Sequence, residues 1–385
     1  MAAIDPVDLS RALIRRPSVT PADEGALDVL EAALSGLGFQ CTRLKFEEVD
    51  NLFAVFGDKR PRFCFAGHTD VVPPGDEAAW TRAPFNADIN DGKLWGRGAA
   101  DMKCAIAAFA AAAARAIENG AVNGSLAFLI TGDEEGPAVN GTRKVLDWIR
   151  EQKIEIDHCL VGEPSNPEVL GDMIKVGRRG SINCWLTVHG KQGHVAYPHR
   201  AQNPIPALMR KLLILSETPL DEGYDRFQPS NLEVTDIHIG NPAHNVIPDK
   251  ATARFNIRFN PNWTGARIEA WLREKLAAAA AETGAQYSLE TIVSGEAFLT
   301  TDMDYLRLIA GAVEERTERK PELSTSGGTS DARFIKDIAP VAEFGMVGAT
   351  MHQTDEHVSV DDIAALSEIY ELILVRYFDK FGAPA

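Results

Sequence analysis

Few cysteines, a shortage of positive charge and no long apolar run each remove a class of protein. The five cysteines, Cys41, Cys64, Cys104, Cys159 and Cys184, are odd in number, widely spaced and mostly set in apolar stretches. That distribution predicts buried reduced thiols rather than disulfides or a cysteine-type zinc site. Any metal must therefore use His, Asp and Glu. Lys and Arg number 39 against 55 Asp and Glu, a formal charge of −16, which argues against nucleic acid and anionic membranes as partners. An anionic substrate would need a local arginine cluster. The longest apolar run, about Cys104 to Ala114, is far short of the ~20 residues of a membrane helix. The first residues carry Asp5 and Asp8 in place of an apolar export signal, so a cytoplasmic protein is expected. No internal repeat or low-complexity linker is present.

What is present is enough apolar sequence, 45% of 385 residues, to fill two cores. Asp5-Pro6 has the form of a helix cap with proline at the first helical position, and Leu9 and Leu13 begin an apolar stripe. Leu27, Leu30, Leu34 and Leu37 mark a second helix that Gly38 ends. Strands are predicted near 39–46, 52–56 and 62–66, and just past the last stands Gly67-His68-Thr69-Asp70.

Chemistry-bearing residues then recur at comparable places. Asp101 opens an alanine-rich helix, where it reads as an N-cap that could also turn one oxygen toward a metal. The buried strand Ser125–Thr131 runs into Gly132-Asp133-Glu134-Glu135-Gly136, three acids whose mutual repulsion a cation would relieve. A strand near 158–162 ends in Gly162-Glu163-Pro164, and a late stretch holds His352 and His357. His68, Asp101, Glu135, Glu163 and His352 suit two zinc-like ions bridged by one aspartate, each with an open position for water or substrate. Between these parts, residues 180–293 read as β-α-β-β-α-β, the ferredoxin-like order of a unit inserted into another domain. The tail from 294 returns to mixed α/β.

His68-Thr69-Asp70, Gly98 to Lys103, Asp133 to Gly136, Gly162-Glu163-Pro164 and His352 together resemble the motif set of the aminoacylase-type di-zinc metallopeptidases, over nearly the whole chain. The resemblance implies a mixed-sheet aminopeptidase-like catalytic domain in two parts, 1–179 and 294–385, with an inserted ferredoxin-like dimerisation and lid domain at 180–293. It implies two divalent ions per subunit, zinc with cobalt as a possible substitute. Asp101 would bridge them, His68 and Glu163 would hold one, and Glu135 and His352 the other. Asp70 would orient His68, and Glu134 would be the catalytic base.

Within the family the sequence is most similar to enzymes that take the succinyl group from N-succinyl-LL-2,6-diaminopimelate, in lysine and cell-wall precursor synthesis. The residues that carry this are His68 to Asp76, Gly177 to Ser181, Gln192 to His199 and Gly327 to Asp331. The likeness implies a small N-succinyl amino acid as substrate, with Arg178, Arg258 and Arg333 near its carboxylate. Gly328 and Thr329 would add loop contacts, and Ser181, Tyr197 and Asn245 would meet the diaminopimelate end. It implies a homodimer through the inserted domain, with His194 reaching the partner's site. Gly348, His244 and Cys104 depart from the usual residues. An acetylornithine-deacetylase-like amidohydrolase is the alternative with the same ligands, and a non-catalytic binding protein on this scaffold the remote one.

Overall fold

The computed structural model describes residues 4–382. Asp5 caps α1 (Pro6–Ile14) by accepting from the amides of Val7 and Asp8, with Pro6 in the first turn. Then come α2 (Ala26–Gly36), β1 (Gln40–Phe46), β2 (Val49–Phe56) and β3 (Arg62–His68). β3 is buried from Phe63 onward, and His68 is its last residue rather than the one beyond it. The alanine-rich α3 (Cys104–Glu118) follows, nearly all of it buried. Next are β4 (Ser125–Thr131), α4 (Thr142–Glu151), β5 (His158–Val161) and β6 (Met173–Lys175).

The middle of the chain is β7 (Gly180–His189), α5 (Pro204–Glu217), β8 (Asn231–His238), β9 (Lys250–Phe259), α6 (Gly265–Thr283) and β10 (Tyr287–Gly295). The chain closes with α7 (Met303–Thr317), β11 (Glu322–Ser324), β12 (Val341–Glu343) and α8 (Val360–Phe381).

Two compact units result. The first takes the chain up to Gly177, Thr300–Ser324 and the part from Ser330 onward. It holds an eight-stranded mixed sheet in the order β1-β2-β4-β3-β5-β12-β6-β11. At its centre β3 runs parallel to β4 and β5, so His68 ends beside Thr131, and β5 ends at Val161 opposite Ala66. Such carboxyl ends of parallel strands are where open α/β sheets bind ligands. Phe63, Phe65, Phe109, Phe128 and Tyr370 form the buried aromatic core beneath that edge. The small side chains of α3 let it pack closely on α1 and α8.

The second unit is Arg178–Leu299 with Thr325–Thr329. Its antiparallel sheet runs β8-β9-β7-β10, the ferredoxin-like arrangement. Ile182, Leu186, Phe255 and Ile257 face Leu208, Leu272 and Leu276 of its helices. These cuts differ from the expected segments 1–179, 180–293 and 294–385. The sequence did not anticipate that 325–329 belongs with the middle segment, which follows from long-range hydrogen bonds. Arg178 Nη1 donates to the Gly328 carbonyl at 3.0 Å and Thr325 Oγ1 to that of Arg226 at 2.5 Å.

Candidate active site

Local geometry presents each acid and imidazole of the first unit. Asp133 Oδ2 accepts from the amides of Val139 and Asn140, both at 2.8 Å, and so closes the loop after β4 that carries Glu134 and Glu135. Asp70 holds the same loop from the other side, accepting from the amides of Glu134 at 3.3 Å and Glu135 at 3.1 Å. The N-cap reading of Asp101 is corrected: the helix begins at Cys104 after Lys103, and Asp101 has extended backbone with φ −127° and ψ 96°. Its carboxylate turns instead to two imidazoles.

Asp101 Oδ1 lies 3.1 Å from His68 Nε2, and Oδ2 lies 3.4 Å from His352 Nε2. Glu163 Oε1 is 3.7 Å from His68 Nε2, and Glu135 Oε1 is 2.8 Å from His352 Nε2. All five expected ligands thus converge, with one carboxylate between two histidine-carboxylate pairs. Glu134 joins His68 and Glu163 in a second grouping of donor atoms. His68 Nδ1 meets the main-chain carbonyl of Asp70 at 2.8 Å, while the Asp70 carboxylate stands 3.6 Å away. The orienting contact to His68 is therefore the Asp70 backbone, and the carboxylate serves mainly the loop of Glu134 and Glu135. His352 sits in the left-handed region at φ 61°. Its rival His357 accepts from Lys93 Nζ through Nε2 at 3.0 Å and packs tilted against the Trp95 ring, outside the cluster.

The electrostatics describe a site that holds protons where a cation can sit. Burial works against a charged His68, yet its hydrogen bond to Asp101 and the charges of Glu163, Asp101 and Asp70 raise it well above the ordinary histidine value. Hydrogen bonds to Asp101 and Glu135 raise the half-exposed His352 to about 10. Burial raises Asp101, but the two imidazoles outweigh it and hold its carboxyl well below the usual range. Burial, reinforced by neighbouring carboxylates, pushes Glu134 and Glu163 well up, Asp331 and Asp101 acting on the first and Asp101 and Glu134 on the second. Burial raises Asp70 to about 6. Glu163 Oε1 is buried without a hydrogen-bond partner, an oxygen that a positive ligand would satisfy. The His and carboxylate donors and this orphaned oxygen fit divalent metal.

The remaining expected residues occupy the second unit, Arg333 excepted. Arg178 and Ser181 are buried, and Ser181 Oγ accepts from Asn256 at 3.1 Å. Arg258 is half-buried on β9; burial and the nearby Arg179 lower its proton affinity. Asn245 is exposed, its carbonyl accepting from the Val195 amide at 3.0 Å. Gly328 is exposed, and Thr329 is intermediate. Arg333, in the first unit, lies 3.8 Å from Asp331. His194 and Tyr197 are exposed, with ring centroids 5.7 Å apart. Lys103, Asp331 and Glu356 also lie in or beside the motif stretches, with no role expected of them from sequence. Lys103 is wholly buried, pulled down to about 7 by burial, and donates to the Arg16 carbonyl at 2.7 Å.

A strand-end cluster of two histidines and four acids on a mixed sheet, with a ferredoxin-like insertion, defines a class of metal-dependent hydrolases. The chain belongs to peptidase family M20/M25/M40, whose model matches residues 64–376. It is 59% identical over 377 residues to the succinyl-diaminopimelate desuccinylase of Phenylobacterium zucineum, covering 98% of this chain and 99% of that one. Among solved structures, it resembles an aminopeptidase from Bacillus cereus with a TM-score of 0.81 at 21% identity, over 97% of this chain and 99% of that one. It also resembles a dinuclear metal-binding peptidase of the M20 family from Bacillus subtilis, with a TM-score of 0.72 at 17% identity over 96% of each chain. No helix among the described residues is long and apolar enough to cross a membrane.

Proposed function

We propose that this chain is a cytoplasmic, di-zinc amidohydrolase that cleaves N-succinyl-LL-2,6-diaminopimelate to succinate and LL-2,6-diaminopimelate, supplying lysine and peptidoglycan precursors. The observation that carries the metal reading is Asp101, whose two oxygens face separate imidazoles. His68 and Glu163 would hold one ion, Glu135 and His352 the other, and Asp101 both. Cobalt suits the same donors. When bound, the ions polarise the acyl carbonyl and make water acidic enough to serve as nucleophile near neutral pH.

The chain's own groups do the rest. Glu134 is partly buried, and burial with the carboxylates around it raises its proton affinity, so as the ionised carboxylate it can take a proton from the attacking water and then, as the acid so formed, pass it to the leaving amine. Bound cations would bring its proton affinity back toward the working range. Asp70 fixes Glu134 through its amide. Arg258 supports recognition of the succinyl carboxylate, because among the described residues no carboxylate lies within ion-pair distance of it or of its neighbour Arg179. A half-buried guanidinium without an anion favours binding one. Arg258 lines a groove of about 530 Å³ together with Asn183, Asn231, Arg254 and Asn256. Arg178, Ser181, Tyr197, Asn245, Gly328, Thr329 and Arg333 complete substrate binding in this reading.

His194 supplies the oxyanion donor from a partner subunit. Its Nδ1 accepts the Ala196 amide at 3.1 Å, which leaves the hydrogen of the neutral ring on the outward Nε2. Exposed Met209 and Leu213 on α5 and Ile237 on β8 support a homodimer through the inserted unit. Mixed dimers of Glu134→Ala and His194→Ala chains test this, since one of the two sites regains both residues. Restored activity is expected; verified subunit exchange with no recovery refutes action in trans. Turnover of N-succinyl-LL-2,6-diaminopimelate against N-acetylornithine tests the substrate, and preference for the acetyl compound would refute it.

A further inference from the structure

The loop that bears Asp101 is held by a carboxylate outside the metal cluster. Glu356 is completely buried. Its Oε2 accepts from Arg97 Nη1 at 2.6 Å and the Gly98 amide at 3.1 Å. Its Oε1 accepts from the amides of Ala100 at 2.8 Å and Asp101 at 3.2 Å. Four donors on one turn of chain thus converge on one side chain some 255 residues away. The main chain of Glu356 is tied in as well, its carbonyl accepting from the Gly96 amide at 2.9 Å.

The same segment carries His352. Thr350 Oγ1 donates to the His357 carbonyl at 2.7 Å and accepts from the His357 amide at 3.1 Å, which closes the turn containing both His352 and Glu356. Arg97 adds a contact to the Gln353 carbonyl at 3.4 Å and lies over the Trp80 ring at 5.3 Å. Glu356 therefore joins two loops whose side chains, Asp101 and His352, must keep their separation for one carboxylate to serve two ions. A buried ion pair by itself adds little net stability. Here the carboxylate accepts three amides of the ligand loop, and that arrangement fixes a position.

We propose that Glu356 is a positioning residue of the metal centre, locking the Asp101 loop to the His352 loop through the 97–101 amides and Arg97. The proposal rests on the reading that the cluster binds divalent ions. Outer partners of metal ligands typically govern 10- to 100-fold in metal affinity. In Glu356→Gln, one acceptor oxygen becomes an amide nitrogen that confronts N–H donors, and the charge facing Arg97 is lost.

Calorimetric titration of the metal-free full-length chain with zinc, beside the visible spectrum of the cobalt-loaded chain, tests it. Glu356→Gln should bind zinc about 10- to 100-fold more weakly and shift the cobalt absorption bands. Glu356→Asp, which keeps the charge but withdraws it by one methylene, should fall between, and it carries the test if the glutamine variant does not fold. A merely structural Glu356 would lower the unfolding midpoint while the folded chain kept the wild-type zinc affinity and cobalt spectrum. That result overturns the proposal. A wild-type chain that takes up no zinc overturns instead the metal-centre reading beneath it.

Discussion

Gly67 and Gly162 precede His68 and Glu163 at the ends of β3 and β5, and both leave room for the same side chain. A Cβ at position 67 would stand 2.3 Å from Met102 Cε and 3.1 Å from its Sδ, and one at position 162 would stand 2.7 Å from the same Cε. Neither glycine has a left-handed φ, so the cost of Gly67→Ala is steric. Restoring an ordinary carbon contact of ~3.5 Å requires the Met102 methyl to retreat by about 1 Å. Met102 is fully buried, and Phe65 stands on the other side of Gly162. Overpacking of this kind costs ~1–3 kcal/mol, and Met102→Ala alone costs ~2–5 kcal/mol for the cavity it leaves. The double variant removes the overlap, so its loss should fall short of the sum by ~1–3 kcal/mol. Thermal unfolding of the four metal-free chains measures this at roughly 1–2 °C per kcal/mol. Losses that add within ~0.5 kcal/mol would refute the wedge.

Glu134→Gln should keep its metal and lose ~10²- to 10⁴-fold in turnover, whereas Glu135→Gln should lose metal; equal metal contents would refute their division of labour. Arg258→Ala should raise KM for the succinyl substrate by roughly 10- to 150-fold, the equivalent of ~1.5–3 kcal/mol, and leave an acetyl analogue nearly unaffected. Equal losses on both would mark a structural arginine. Zinc affinity of the metal-free chain should rise with pH by up to about tenfold per unit, because His352 holds its proton to about 10 and only neutral imidazole coordinates. The same raised value contributes stability to the metal-free fold that is full below the ordinary histidine range and fades as pH climbs through about 10. A zinc affinity independent of pH would contradict it.

The gathering of histidines and acids was legible because its signals are local. A buried β run followed by Gly-His-Thr-Asp, Gly-Asp-Glu-Glu or Gly-Glu-Pro marks a strand end with an acid or imidazole at it, and parallel pairing of β3, β4 and β5 then gathers those ends. The order of the inserted unit was legible for the same reason, from period-two strands such as Ala251 to Phe259. Asp101 carried two readings in sequence, a cap because an aspartate before an alanine-rich run has that form and a bridging ligand, and only its contacts with His68 and His352 separate the two roles. Glu356 was invisible as a strut, since its partners are main-chain amides that no side-chain motif records. Nor does sequence show that the Asp70 carboxylate serves the Glu134 loop more closely than the His68 ring.

The central claim is a two-ion centre built on Asp101 that hydrolyses a succinyl amide. Its most direct test is turnover of N-succinyl-LL-2,6-diaminopimelate by the metal-free chain as zinc is added. Activity should be absent without metal, rise with zinc and saturate at two ions per chain. Hydrolysis at full rate by the metal-free chain, or uptake of two zinc ions with no release of succinate, would contradict the account.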